Sequence, residues 1–192
     1  MRRNPERRAA LLDAAIEVLA REGSRGLTLR AVDEEAGVPT GTASNYFAHR
    51  GQLLVQILRR TRERLTPDPA EPAGLDGPLD TVELLRRLLG RLRAEPSVQR
   101  AVLELRLEAT RRPELQEELS AFLAAELEAN IARHLDAGLP GDRAGVELLY
   151  FAMQGLIVDG LTVPALLEAH PVEPLLGVMV ERLLPAFVTG TR

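Results

Sequence analysis

The spacing of the apolar residues constrains this chain most, because in every periodic stretch they recur at the three-to-four-residue interval of an α-helix. Beyond residue 78 this spacing predicts helices over 79–94, 97–111, 114–137, 142–162 and 173–188. Prolines and glycines separate these stretches, at Pro96, Pro113, Gly138 with Pro140, and Pro164 with Pro171. Alternating β-branched runs joined by turn pairs do not occur in the sequence. The sequence therefore predicts an all-α fold.

The N-terminal end predicts a group of shorter helices. Residues 5–22 form an amphipathic helix that Gly23 ends, and residues 28–36 form a second one. Thr28 is suited to cap that second helix, and Gly37 to end it in a left-handed conformation. The segment PTGTASNYF follows, and then a further helix with the sequence HRGQLLVQILRRTRERL.

A linker separates this head from the rest of the chain. Residues 66–78 contain four prolines and two glycines, which are incompatible with a helix. We therefore predict a head over 1–65, a linker over 66–78 and a helical-bundle body over 79–192.

Charge divides along the same line. Residues 1–65 hold 12 arginines and 8 acidic residues, a net charge of +4, whereas residues 66–192 hold 12 arginines and 20 acidic residues, a net charge of −8. A basic head on an acidic body is expected where one end meets a polyanion.

Composition also excludes several classes of protein. The chain has no cysteine, which removes disulfide frameworks, zinc fingers and thiol catalysis. No secretion signal and no long uncharged apolar segment is recognisable, so we expect a cytoplasmic protein without a membrane span. A phosphate-binding glycine loop, a nucleophile elbow and a metal-spaced histidine cluster are likewise not found, so we predict no enzyme, no metal and no cofactor.

Two short helices joined by a glycine turn, with a first helix packed against them, form the arrangement that places a recognition helix in the major groove of DNA. The residues GLTLRAVDEEAGVPTGTASNYFAHRGQLL resemble the signature of the tetracycline-repressor (TetR) family of regulators. The resemblance is specific over residues 5–60 and only architectural beyond them. It implies a helix-turn-helix head, double-stranded DNA as partner, a homodimer, and a small-molecule effector bound in the body.

Polar residues around the predicted recognition helix are candidates for DNA contact. Pro39 is expected to open that helix, and small residues and free amides at its start favour close approach to phosphate. The resemblance implies that Thr28 and Tyr46 contact the DNA backbone and that Arg50 contacts a further phosphate. The full predicted DNA-binding set is Thr28, Pro39, Thr40, Gly41, Thr42, Ser44, Asn45, Tyr46 and Arg50.

Within that set, Asn45, Thr40 and Thr42 are the preferred base readers, and which base each one reads stays open. Phe47 is expected to face inward and hold the recognition helix to the core. Ala43 and Ser44 replace a leucine–tyrosine pair of the family pattern, which weakens the case for Ser44 as a phosphate ligand. Asp33 stands where the pattern has a small apolar residue, which predicts a solvated position.

The body carries two helices that are apolar on nearly all sides, near 142–162 and 173–188. A chain of this length cannot cover both alone, so we predict a homodimer through these helices, with Gly155 and Gly160 permitting close approach. Two heads would then read an inverted repeat with half-sites about 34–36 Å apart.

Polar residues on these apolar helices are candidates for effector binding. The predicted set is Arg106, Asn130, Tyr150, Gln154 and Asp159, and an interface hydrogen bond explains the last two equally well. His134 lies on the line of Asn130, which we expect to be a solvated flank. Repression is the commoner outcome for the family, and the sequence does not separate it from activation. A helical interaction protein without DNA affinity is the alternative.

Overall fold

The computed structural model describes residues 4–65 and 80–185, and it contains no β-strand within these ranges. The helices in chain order are α1 (Pro5–Gly26), α2 (Leu29–Glu35), α3 (Arg50–Leu65), α4 (Thr81–Ala94), α5 (Pro96–Ala109), α6 (Pro113–Asp136), α7 (Arg143–Thr162), α8 (Pro164–Ala169) and α9 (Val172–Leu183). The all-α prediction is confirmed. The predicted linker over 66–78 lies outside the described residues, so the proposed domain limits stay predictions.

Each helix boundary in the head has a local cause. Gly23, with φ 68°, interrupts α1 where the sequence predicts its end, and the chain then continues to Gly26. The Thr28 hydroxyl accepts the Ala31 amide at 3.0 Å and so caps α2. Gly37 has φ 63°, the left-handed value expected of the residue that follows a helix.

One compact unit contains the described residues up to 65 together with Glu95–Ala121. Its core is formed by α1, α3 and α5, and α1 contacts both α2 and α5. The fully buried side chains of this core include Leu11, Ile16, Leu19, Ile57 and Leu105. This core holds α1 in place, and α1 in turn supports α2 and the segment that follows α2.

The second compact unit contains residues 80–94 and 122–185. Its core includes Leu89 of α4, Ile131 of α6, Met153 of α7 and Leu176 of α9. The carboxylate of Asp142 caps α7 by accepting the Gly145 amide at 2.8 Å. The sequence does not predict α8, because this six-residue helix begins at Pro164 and is soon followed by Pro171, and two prolines this close mark the region as a connection.

Helices α7 and α9 bury only one face each. Large apolar side chains on their other faces are exposed, namely Leu148, Phe151, Leu175 and Val178. By length and mean hydropathy alone, α7 also passes the test for a membrane-spanning helix, a test that core helices of soluble proteins pass as well.

Candidate nucleic-acid interface

Residues 39–46, which contain most of the predicted DNA-binding residues, form the reading segment. It contains a short 3₁₀ helix over Ala43–Asn45 and no α-helix, so the prediction that Pro39 opens a recognition α-helix is wrong in the described chain. Gly41, with φ 93°, breaks the helical path between Pro39 and Ala43.

Side chains of the reading segment face solvent on one side. Thr40, Ser44 and Asn45 are exposed, and Thr42 and Tyr46 are half-buried. The Ser44 hydroxyl donates to the Gly41 carbonyl at 2.7 Å, and the side-chain Nδ2 of Asn45 donates to the same carbonyl at 3.1 Å. Of the predicted base readers, Thr40 and Asn45 therefore lie on an accessible surface, and Thr42 is partly accessible, with its hydroxyl donating to the Pro39 carbonyl at 2.6 Å.

The other side of the segment is held in the core. Ala43 and Phe47 are both fully buried, and the Phe47 amide donates to the Ala43 carbonyl at 2.9 Å. The Arg8 guanidinium of α1 lies 5.8 Å from the centre of the Phe47 ring and donates to the buried Gln56 of α3. The inward orientation predicted for Phe47 is confirmed.

Asp33 departs most from expectation. It is 1% exposed, so the prediction of a solvated position is wrong. Its carboxylate accepts the Gly41 amide at 2.7 Å and the Ala43 amide at 2.7 Å. Those two amides are therefore occupied inside the protein, and the expectation that they are free for phosphate is also wrong. A short polar residue in a helix that precedes a glycine turn was the only sequence signal for this contact.

Arg50, the predicted phosphate ligand at the start of α3, points towards Ser24. Its Nη2 donates to the carbonyl and the hydroxyl oxygen of Ser24, and its Nε is buried without a hydrogen-bond partner among the described residues. Glu108 of α5 accepts from the Ser24 hydroxyl at 2.8 Å. The Arg112 guanidinium and the Ser24 hydroxyl hold the pKa of the Glu108 carboxyl below its ordinary value.

A cavity of about 450 Å³ lies beside this cluster. Its lining residues are Glu22, Gly23, Ser24, Arg25, Arg50, Glu104, Leu107, Glu108 and Arg111. None of the predicted effector-binding residues is among them.

The predicted effector residues are distributed over both units. Arg106 belongs to the first unit, and the remaining four belong to the second. All five are half-buried: Arg106, Asn130, Tyr150, Gln154 and Asp159. Tyr150 packs edge-on against Phe151, with ring centres 5.4 Å apart. Their role in ligand binding stays a prediction.

His134 differs from its neighbours on that line. It is buried, and its Nε2 lies 2.8 Å from the Pro140 carbonyl oxygen, to which it donates. The expectation of a solvated flank is therefore wrong at His134, because the turn after α6 folds back over it.

Comparison with known proteins covers nearly the whole chain. Residues 11–57 match the family described as "Bacterial regulatory proteins, tetR family", and residues 76–186 match "Tetracyclin repressor-like, C-terminal domain". The transcriptional regulator BetI of Rhizobium meliloti is 31% identical over 88% of this chain and 82% of its own length. The transcriptional repressor KstR of Rhodococcus jostii is 36% identical, over 42% of this chain and 37% of its own length.

Solved structures of similar fold agree with these sequence matches. A TetR-family member from Streptomyces coelicolor superposes with a TM-score of 0.71 at 31% identity, covering 95% of this chain and all of its own. The multidrug-binding protein EbrR, solved with ethidium, gives a TM-score of 0.70 at 28% identity over 94% of this chain and 99% of its own.

Proposed function

Because the chain belongs to the TetR family of DNA-binding transcriptional regulators, we propose that it is a cytoplasmic repressor that binds an inverted-repeat operator as a homodimer. The observation that supports this best is the reading segment, which presents Thr40 and Asn45 to solvent from a backbone fixed on a buried core. The relative KstR is a transcriptional repressor, which supports repression as the outcome.

Two kinds of contact are proposed at this surface. Asn45, Thr40 and Thr42 read base edges, while Thr28, Ser44 and Tyr46 contact the phosphate backbone together with Pro39 and Gly41, which lie close to it. Arg50 adds a phosphate contact when its guanidinium leaves Ser24, a rearrangement favoured by its Nε, which has no hydrogen-bond partner within residues 4–65 and 80–185.

A gel-shift experiment tests the base readers. The probe is a duplex selected by the wild-type protein from a random-sequence library, compared with a scrambled duplex of the same composition. We expect Asn45→Ala to weaken binding of the selected duplex by about 1–3 kcal/mol and to leave the scrambled duplex unaffected.

Thr42→Ala tests a second base reader in the same experiment, and Thr110→Ala is its matched control. Each threonine hydroxyl donates to the carbonyl three residues before it, at 2.7 Å for Thr110 and 2.6 Å for Thr42, and Thr110 lies in the connection after α5. If Asn45→Ala and Thr42→Ala bind the selected duplex as Thr110→Ala does, the base-reader assignment is wrong.

The phosphate contacts give a different signature. Tyr46→Phe combined with Arg50→Ala should weaken selected and scrambled duplexes alike, since phosphate contacts carry no sequence information. Undiminished binding by this double variant would remove the assignment of both residues.

The dimer is proposed to form through α7 and α9. Leu148 is 57% exposed and Phe151 62% exposed, on the same side of α7, and Leu175 and Val178 add to the apolar surface from α9. Full burial of such a side chain is worth about 1.5–3 kcal/mol, and because each is already about half buried, pairing gains roughly half of that for each of the four from each protomer. An added Cβ at Gly155 would meet nothing within 4 Å in the part of the chain that the structure describes, so this face of α7 is open to a close approach.

Sedimentation at micromolar concentration tests the dimer. Leu148→Glu with Phe151→Glu should convert the wild-type dimer into a folded monomer. Leu107→Glu is the control, because Leu107 is a similarly exposed leucine, at 51%, in the first unit. A wild-type monomer, or a double variant that remains dimeric, contradicts this interface.

A small-molecule effector is proposed to bind in the body at Asn130, Tyr150, Gln154 and Asp159, which all belong to the second unit. Arg106 belongs to the first unit and stays a separate prediction. The complex of EbrR with ethidium supports this for a related fold. Thermal-shift screening of ethidium and small metabolites tests it, because a ligand of the folded state raises its melting temperature. A hit should release the selected duplex and lose its thermal shift in Gln154→Ala with Asp159→Ala. A hit that the double variant still binds refutes those two residues.

A further inference from the structure

We propose that Asp33 is a positioning residue for DNA recognition, whose buried carboxylate fixes the reading segment in one conformation before DNA binds. The inference rests on the proposed role of that segment in reading DNA.

Asp33 makes three hydrogen bonds to the chain that follows it. Its backbone carbonyl accepts the Val38 amide at 3.0 Å, at the glycine turn after α2. Its two carboxylate oxygens accept the amides of Gly41 and Ala43, each at 2.7 Å. One residue thus connects α2 to three points over six residues, including the point at which the 3₁₀ helix begins.

The reading segment needs such a support because its own secondary structure is weak. A three-residue 3₁₀ helix makes few internal hydrogen bonds, and Gly41 at φ 93° has the largest conformational freedom of any residue type. Without the carboxylate, the amide of the buried Ala43 would lose its partner. The segment would then leave this conformation in the free protein.

Base reading depends on where Thr40 and Asn45 stand. Bidentate contact with a base edge requires both donor and acceptor in place, and a segment that is ordered only on binding loses affinity through the cost of ordering. Phosphate contacts tolerate more displacement. Loss of Asp33 should therefore reduce binding of the specific sequence selectively.

The charge of Asp33 sharpens this distinction. Removing a carboxylate near the DNA surface makes the head more positive, which by itself strengthens binding to any duplex. Asp33→Asn should consequently lower affinity for the selected duplex by about 10- to 100-fold, the range expected for lost hydrogen bonds to a charged group. Affinity for the scrambled duplex should stay the same or rise.

The experiment compares Asp33→Asn with Asp142→Asn, whose carboxylate accepts a single backbone amide at 2.8 Å in the second unit. Both variants are measured for melting temperature, for affinity to the two duplexes, and for amide hydrogen exchange of the DNA-free protein. We expect the Gly41 and Ala43 amides to exchange faster in Asp33→Asn alone, with protection of α1 retained. Asp33→Ala keeps no acceptor and should therefore have a larger effect on both exchange and affinity. If Asp33→Ala does not fold, Asp33→Asn still tests the proposal.

Three results would overturn the proposal: unchanged exchange at Gly41 and Ala43, an equal loss of both affinities, or tighter binding of the selected duplex. The last would show that the two amides are better used on phosphate than on Asp33. Failure of the proposed function is distinguishable, because Asn45→Ala would then have no effect on DNA binding while Asp33→Asn still accelerated exchange.

Discussion

Replacement of Phe47 by alanine is the strongest test of how the reading segment is attached to the head. Phe47 is fully buried, and truncation of a buried phenylalanine costs about 3–5 kcal/mol. Its ring also lies 6.4 Å from that of Tyr46 and 5.8 Å from the Arg8 guanidinium, contacts that alanine would remove. We therefore expect a loss of about 4–5 kcal/mol.

A loss of this size is a large part of the stability of the unit. Since a domain is stable by only about 5–15 kcal/mol, and each 1.4 kcal/mol is a tenfold change, the ratio of folded to unfolded head should fall by roughly 1,000-fold or more. Phe47→Leu keeps most of the apolar volume and should cost only about 1.5 kcal/mol.

Hydrogen exchange of amides in α1 measures the head separately from the body, and urea denaturation followed by circular dichroism gives the global transition. Leu107→Ala, at a position 51% exposed, is the control and should change stability by no more than about 0.5 kcal/mol. If Phe47→Ala exchanges and unfolds like Leu107→Ala, the ring does not hold the segment and the account of the site is wrong.

Three further predictions concern charge. At pH 7, Glu108→Gln should lower the free energy of unfolding by about 1–3 kcal/mol. The folded pKa of Glu108 is depressed below its ordinary value of 4.5, so this difference is fully present above pH 4.5 and is lost as the pH falls through the lower, folded pKa. An acid titration of stability measures this, and a difference that persists in strong acid refutes the prediction. Arg60 donates to both Asp13 oxygens, at 2.9 and 2.8 Å, so Asp13→Asn should destabilise α1 by about 1 kcal/mol, as measured by amide hydrogen exchange. No change in exchange would make the pair a surface contact only. Binding of the selected duplex should weaken linearly in log affinity against log salt concentration, and a flat dependence would contradict phosphate contact.

The sequence predicts local features of this protein well. Helical spacing, together with proline and glycine positions, gives the all-α class and most helix limits, because both depend on residues within one or two turns. The cap at Thr28 and the left-handed Gly37 are local in the same sense, and both are confirmed.

What the sequence leaves undecided depends on residues further along the chain. From sequence alone, a carboxylate is predicted to be solvated unless a core is known to bury it. The two amides that donate to Asp33 lie 8 and 10 residues further along the chain. The sequence predicts that Arg50 binds phosphate, yet in the folded chain its guanidinium contacts Ser24, which lies 26 residues earlier.

From its residues alone, the chain is predicted to be a helical DNA-binding regulator whose polar residues for DNA recognition follow the glycine turn. The conformation of those residues follows from the packed fold, because elements distant in sequence set the burial and the hydrogen-bond partners of charged groups, and helical periodicity does not report either.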